Sequence, residues 1–188
     1  MKKVHPQKIL WSVRAIMYKL FFKELKLPSY IGKPIFIEGT KRIKIGKRVR
    51  IFPGIRMEAL KSGFLIFEDN VYIGQNCHFT SEDSSLIIGE GSAIMANVCV
   101  TNIDHDYDSI NTAVLEQGIT TRRTVIGKNC FIGHGAVVQA GVELGDHCIV
   151  GCNAVVCRGK VPSYSVLVGA PAKIVKVFDD QAKMWKKV

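Results

Sequence analysis

The chain has 188 residues, 47% hydrophobic and 22% charged, which suits one domain with a substantial core and excludes a disordered chain. Its formal net charge of +10 is unevenly placed: residues 1–61 carry sixteen Lys and Arg against three acids (Glu24, Glu38, Glu58), while the remainder is slightly acidic. A basic first third of this kind is either a well-solvated face or one that meets an anionic partner, and no uninterrupted apolar run reaches the ~20 residues of a spanning helix.

Residues 1–28 differ from the rest. The stretch ILWSVRAIMYKLFFKELKL (9–27) is apolar but punctuated by Arg14, Lys19, Lys23 and Lys26, which predicts a basic amphipathic helix ended by Pro28. Charges inside the apolar part and the lack of a small-residue cleavage site argue against a signal peptide. Two uses stay open: packing on the body or a neighbouring subunit, or lying on an anionic membrane, at its inner face. The expected organisation is a helical segment at 1–30, a repeat domain at 31–176 and a helical tail at 177–188.

From Ile31 an aliphatic residue recurs at roughly every sixth position, through Ile37, Ile45 and Ile51. Residues 57–66 break the phase and are expected to form an excursion. Phe67, Ile73 and Phe79 resume it, then Ile88, Ile94 and Val100, with Val71, Cys77, Ser92 and Val98 at a small place two residues earlier. Each buried first-place side chain contributes roughly 1.5–3 kcal/mol. The register then stops for the polar segment TNIDHDYDSINTAVLEQGITTRRT (101–124), expected as a long structureless loop extruded from the repeat. Such a loop in a tight repeat is a functional candidate. His105 lies in it between Asp104 and Asp106, and an imidazole beside a carboxylate can be held in one tautomer and serve as a general base.

Residues 126–161 form six consecutive hexapeptides without slippage: IGKNCF, IGHGAV, VQAGVE, LGDHCI, VGCNAV and VCRGKV. The first place is always aliphatic, and the fifth is small until Lys160. A period of six would scatter the aliphatic column around a helix. The fifth place and the next first place lie two residues apart, on one face of a short strand, and the glycine that follows permits a corner. Each hexad is one strand plus one corner, and stacked corners make a parallel solenoid. Its open ends need caps, for which residues 1–28 and the tail VFDDQAKMWKKV (177–188), read as a short helix, are the candidates. Cys77, Cys130 and Cys148 fall in the small place as apolar fillers, and Cys99, Cys152 and Cys157 form no CxxC pair, so a reduced, cytoplasmic protein is expected.

This repeat resembles that of the hexapeptide-repeat acyltransferases, and the loop histidine and closing GAPAK (169–173) resemble those of the galactoside, maltose and surface-polysaccharide O-acetyltransferases. The resemblance covers about residues 31–176. It implies an all-β fold, a left-handed parallel β-helix with three hexads per triangular coil; the handedness rests on the resemblance, since parallel crossovers are ordinarily right-handed. It also implies acetyl-CoA as acyl donor with no metal, a saccharide acceptor, and a homotrimer with sites between subunits. His105 takes the place of the family's catalytic histidine. Asn76 on the coil before the loop, with His78, Asp104, Asp106 and Tyr107, are the acceptor-side candidates, although a surface histidine is an equal reading of His78. The donor groove implied by the family would use Phe131, where many relatives have tryptophan, with His134, Gly151, Cys152, one of Arg158 and Lys160, and Lys173. Between Val156 and Gly169 the chain is one residue longer than the galactoside enzyme's pattern, which leaves the choice of Arg158 or Lys160 open. His5 and His147 are expected at the surface.

Other readings are N-acetylation of an amino sugar, whose enzymes usually carry a further nucleotide-binding domain, and a non-catalytic assembly subunit. A zinc site of the γ-type carbonic anhydrases needs H-x-x-x-x-H, and Gln139 stands where the second histidine would follow His134. Nucleic-acid binding lacks an aromatic stacking platform.

Overall fold

Strands of two to five residues, each followed by a corner, wind into a three-sided, left-handed parallel β-helix. The structure, a computed structural model, describes residues 6–188; His5 lies outside them. The first face stacks seven rungs through Leu25, Ile45, Phe67, Ile88, Ile126, Leu144 and Val161. The second stacks Ile31, Ile51, Ile73, Ile94, Ile132, Val150 and Leu167. The third stacks Ile37, Met57, Phe79, Val100, Val138 and Val156. Nearly all these side chains are buried, and the small-place residues Cys130, Ala136, Val142, Cys148 and Ala154 fill the prism between them. The two columns expected to face inward therefore do so.

Spacing along the chain is regular at two of the three corners. From first face to second, and from second to third, inward residues are six apart in every coil (for example Leu25–Ile31–Ile37 and Ile126–Ile132–Val138). From third face back to first the intervals differ: Ile37 to Ile45, Met57 to Phe67, Phe79 to Ile88, Val100 to Ile126, Val138 to Leu144 and Val156 to Val161. Every change in coil length falls at this third corner. The expected excursion at 57–66 is corrected accordingly. Arg56–Leu60 and Phe64–Phe67 are rungs, and only the turn at 61–63 lies between them, so a longer corner shifted the phase without interrupting the strands. At the end of the run Val161, not Pro162 at the sixth place after Val156, pairs with Leu144, because the last third corner is one residue short.

At the other corners residues adopt left-handed backbone, which asparagine and glycine tolerate best. Asn70, Asn129, His147 and Tyr164 form one such column, and Asn76, Asn97 and Asn153 another. His147 is exposed there, its ring stacked on Tyr164 at 4.8 Å. All six cysteines are free. The thiols of Cys77, Cys130 and Cys148 donate to carbonyls of the next coil (Met95, Gly145 and Pro162), and burial pushes the Cys77 thiol up to about 11.

The helix runs over Pro6–Tyr18 and stops well before Pro28, because the chain turns to bury Phe22 and then enters the first rung at Glu24–Leu25, ahead of Ile31. It lies against the open end: Trp11 packs on Tyr30 and Phe52 at 5.7 and 5.4 Å, and the Arg14 guanidinium donates to the Ile31 carbonyl at 3.0 Å. The predicted C-terminal helix is not formed. Ala172–Asp179 runs back antiparallel along Ser165–Gly169, and Met184–Lys187 pairs with it in turn. Asp179 accepts the backbone N–H groups of Gln181 and Ala182 in the turn, and Phe178 meets Trp185 edge-on at 5.5 Å. Alternation in AKIVKVF suits a strand that extends the second face, which leaves the tail no reason to coil.

Candidate active site

The long segment leaves the third corner after Thr101 and is ordered as a hairpin, not a structureless loop. Ile103–His105 pairs antiparallel with Ile119–Thr121, and a short 3-10 turn at Val114–Glu116 forms the tip. The Gln117 side chain fastens that tip, accepting from the Ser109 amide and donating to the carbonyls of Ser109 and Thr112. At the root Asn102 is fully buried; its Oδ1 accepts the Glu82 amide, and its amide nitrogen donates to the Glu82 carbonyl. The hairpin is thereby anchored beside the end of strand His78–Glu82.

His105 is exposed at the mouth of an open cleft of about 450 Å³, lined also by Asp104, Asp106, Tyr107, Asp108, Thr120, Arg122 and Arg158. The flanking carboxylates do not hold the imidazole. Alternation turns them elsewhere: Asp104 accepts from Arg122 at 3.0 Å, and Asp106 accepts from the Thr120 hydroxyl at 2.7 Å. Both bonds stiffen the hairpin. Gly141, at φ +76°, lets the stems of Arg122 and Arg158 pass, since a Cβ there would lie 3.0 Å from each.

The carboxylate–imidazole pair expected at His105 occurs instead on the outer side of the third face, around His78. Its Nε2 lies 3.0 Å from Glu58 Oε2 and 2.9 Å from the Thr80 hydroxyl. Thr80 also donates to Glu58 Oε2, and Arg56 donates to Oε1 at 2.6 Å. Donation from Arg56, aided by His78 and Thr80, holds the Glu58 carboxyl at about 2 against the opposing effect of burial. An acceptor on Nε2 fixes the imidazole proton there and leaves Nδ1 as a hydrogen-bond acceptor. Asn76 sits at the far corner with φ 56°, its side chain beneath Gly54, so backbone conformation accounts for it.

The donor-side candidates are dispersed. Phe131 is exposed on the second face, while His134, Gly151 and Cys152 occupy its corner with the third; Asn97 Nδ2 is 3.2 Å from His134 Nε2. Lys173 lies on the C-terminal hairpin opposite Val168. Lys160 faces Glu143 on the first face at 3.6 Å, whereas Arg158 joins His105 in the cleft. Among the described residues no cluster of three or more His, Cys, Asp or Glu side chains is arranged to hold a metal ion.

Two family models match: the bacterial transferase hexapeptide (six repeats) over residues 123–158, and the hexapeptide repeat of succinyl-transferase over 65–102. WbbJ of Escherichia coli strain K12, named for O-acetyl transfer in lipopolysaccharide biosynthesis, is 27% identical over 179 residues, 92% of this chain and 89% of that protein. The repeats of this chain match those of the hexapeptide transferase families, and the proteins it resembles are named acetyltransferases. An acetyltransferase of Mycobacterium tuberculosis, Rv3034c, is 35% identical over 78% of this chain, which spans only 49% of that protein. Among solved structures, AntD, an N-acyltransferase from Bacillus cereus in complex with dTDP and 3-hydroxybutyryl-CoA, superposes with a TM-score of 0.76 at 16% identity, covering 90% of each chain. A Vibrio cholerae hexapeptide-repeat acetyltransferase, VCA0836, complexed with acetyl coenzyme A, gives 0.61 at 22% identity over 89% of this chain and 78% of that one.

Among the side chains of the repeat the notable surprise is Glu58. Sequence reading passed over it, with Arg56 and Thr80, although Arg56-x-Glu58 and His78-x-Thr80 show the strand alternation that puts all four on the outer face. The missing information was the offset of the coils, which sets Arg56 beside His78 and Glu58 beside Thr80.

Proposed function

We propose that this chain transfers an acetyl group from acetyl-CoA to a hydroxyl of a saccharide, with His105 as general base. The observation that carries the reading is the presentation of His105: a rigid hairpin holds an exposed imidazole at an open cleft beside the cationic Arg158, with both neighbouring carboxylates engaged elsewhere. A sugar hydroxyl attacks a thioester poorly until its proton is removed during attack. His105 accepts that proton as oxygen bonds to the thioester carbonyl carbon. The tetrahedral intermediate then expels the CoA thiolate as the C–S bond breaks, and the imidazolium proton passes to sulfur. WbbJ is named for O-acetyl transfer in lipopolysaccharide biosynthesis, and AntD, an N-acyltransferase, is seen as a variant in complex with dTDP-4-amino-4,6-dideoxyglucose; the carboxylate-free His105 suits a hydroxyl or an amine.

The same reading takes the functional unit as a homotrimer. The donor-side candidates Phe131, His134, Cys152 and Lys173 lie on the second face and its far corner, away from His105 and Arg158 at the third corner, so two prisms side by side would complete one groove. The supply of acetyl-CoA assigns the reaction to the cytoplasm.

His105→Ala should lower kcat by about 10²–10⁴-fold with the fold and donor binding retained, and His105→Asn should do no better, since an amide accepts no proton. The assay is mass spectrometry of a panel of sugars incubated with acetyl-CoA. Near-wild-type turnover by His105→Ala would reject this base and favour a second reading, in which the Glu58-supported His78 takes the proton through its Nδ1.

A further inference from the structure

The helix Pro6–Tyr18 is inverted relative to an ordinary surface helix. Its inward side carries Trp11, Ser12, Arg14 and Ala15, and Arg14 spends its guanidinium on the free Ile31 carbonyl at the open end of the coil. Its outward side is apolar: Ile9, Leu10, Val13, Ile16 and Met17 recur at helical spacing, and Leu20 and Phe21 continue the stripe through the following turn. Exposure is large, 66% for Leu10, 55% for Ile16 and 77% for Leu20. The stripe meets an open apolar hollow of about 370 Å³ bounded by Phe21, Pro34, Ile35 and Phe36. Such a contiguous patch marks an interaction surface rather than scattered surface apolarity.

Charge decides what covers it. Lys19, Lys23, Lys33 and Lys41 are exposed around the stripe, and the Lys41 ammonium reaches the Leu20 carbonyl at 3.3 Å. The acids of the first third do not offset them: Glu24 is paired with Lys26 and Glu58 is buried against Arg56, which leaves the exposed Glu38 alone against the four lysines. A second copy brought onto this face would set basic rim against basic rim, whereas an apolar stripe within a basic rim matches acyl chains beneath anionic headgroups. We infer that this end of the molecule docks on an anionic phospholipid bilayer, with the helix lying in the interfacial plane. No helix of the described residues is long and apolar enough to cross a membrane, so the attachment is peripheral and reversible. The patch ends at Phe36, over which Arg56 lies at 5.2 Å, so a docked molecule holds the Arg56–Glu58–His78 cluster close to the lipid surface.

The test does not depend on the acetyl-transfer reading. The full chain is sedimented with vesicles of phosphatidylcholine alone and of phosphatidylcholine mixed with phosphatidylglycerol, at low and high salt. Binding is expected to the mixed vesicles only and to weaken with salt. Leu10→Glu combined with Met17→Glu should reduce vesicle binding by about tenfold or more, as should Lys19→Glu with Lys23→Glu, with thermal unfolding and solution mass by light scattering unchanged. Failure of the wild-type protein to bind mixed vesicles overturns the proposal. So does a Leu10→Glu/Met17→Glu protein whose solution mass falls, because the face would then be a subunit contact.

Discussion

The Glu58 carboxyl shows how one residue's environment becomes a measurable property. Donation from Arg56, then from His78 and Thr80, lowers it from 4.5 to about 2, while burial works in the opposite direction. A group depressed on folding contributes stability that is complete above its unfolded value and is lost as pH falls toward its folded one. Part of the protein's stability should therefore disappear between about pH 4.5 and pH 2. Glu58→Gln should destabilise by roughly 1–3 kcal/mol at neutral pH, and should flatten the acid limb of the stability curve. Urea unfolding at a series of pH values reads both, and parallel curves for the two proteins would refute the assignment. His78 was legible as an outward residue from the alternation alone. Its partner was not, because Glu58 lies twenty residues earlier and the coil length that brings them together is set by a corner of irregular size.

At the scale of elements, the two misread segments share a cause. The segment 101–124 reads as a structureless loop because it interrupts the hexad, and the tail as a short capping helix, yet each finds strand pairing of its own: the loop with itself, the tail with the second face. Backbone groups that leave a parallel stack need new partners, and an antiparallel hairpin supplies them locally. The C-terminal hairpin also shields an edge. Removing residues 180–188 strips Trp185 from Phe178 and Lys186 from Asp179, and leaves Ala172–Asp179 paired with Ser165–Gly169 alone, its outer edge open. The truncated protein should melt several degrees lower and scatter more light on standing, since an unpaired edge recruits other chains. Differential scanning fluorimetry with dynamic light scattering would show it; an unchanged profile would mean that the hairpin shields nothing.

For the whole molecule, the prism was readable because inward places one and five repeat without exception over 126–155, and side chains such as Ile132 and Leu144 are buried as that pattern requires. The site was less readable because its parts come from different coils, and by the trimer reading from different chains. That reading makes its own prediction. Mixed trimers of His105→Ala and Lys173→Ala chains, assembled at random, should regain about a quarter of wild-type activity at low acetyl-CoA, as one interface in four receives both intact residues. Activity no greater than the sum of the separate variants would return the groove to a single chain.

The constancy of two corners and the freedom of the third have a bearing on descent. An insertion at either fixed corner would break the column of left-handed residues stacked there, whereas the third corner carries coils of several lengths in this chain with the rungs still paired. The one long insertion of this chain lies along that edge, and it is the edge that bears His105. If His105 is the base, as proposed, a change of loop at that single margin would exchange one acceptor for another with the scaffold kept intact.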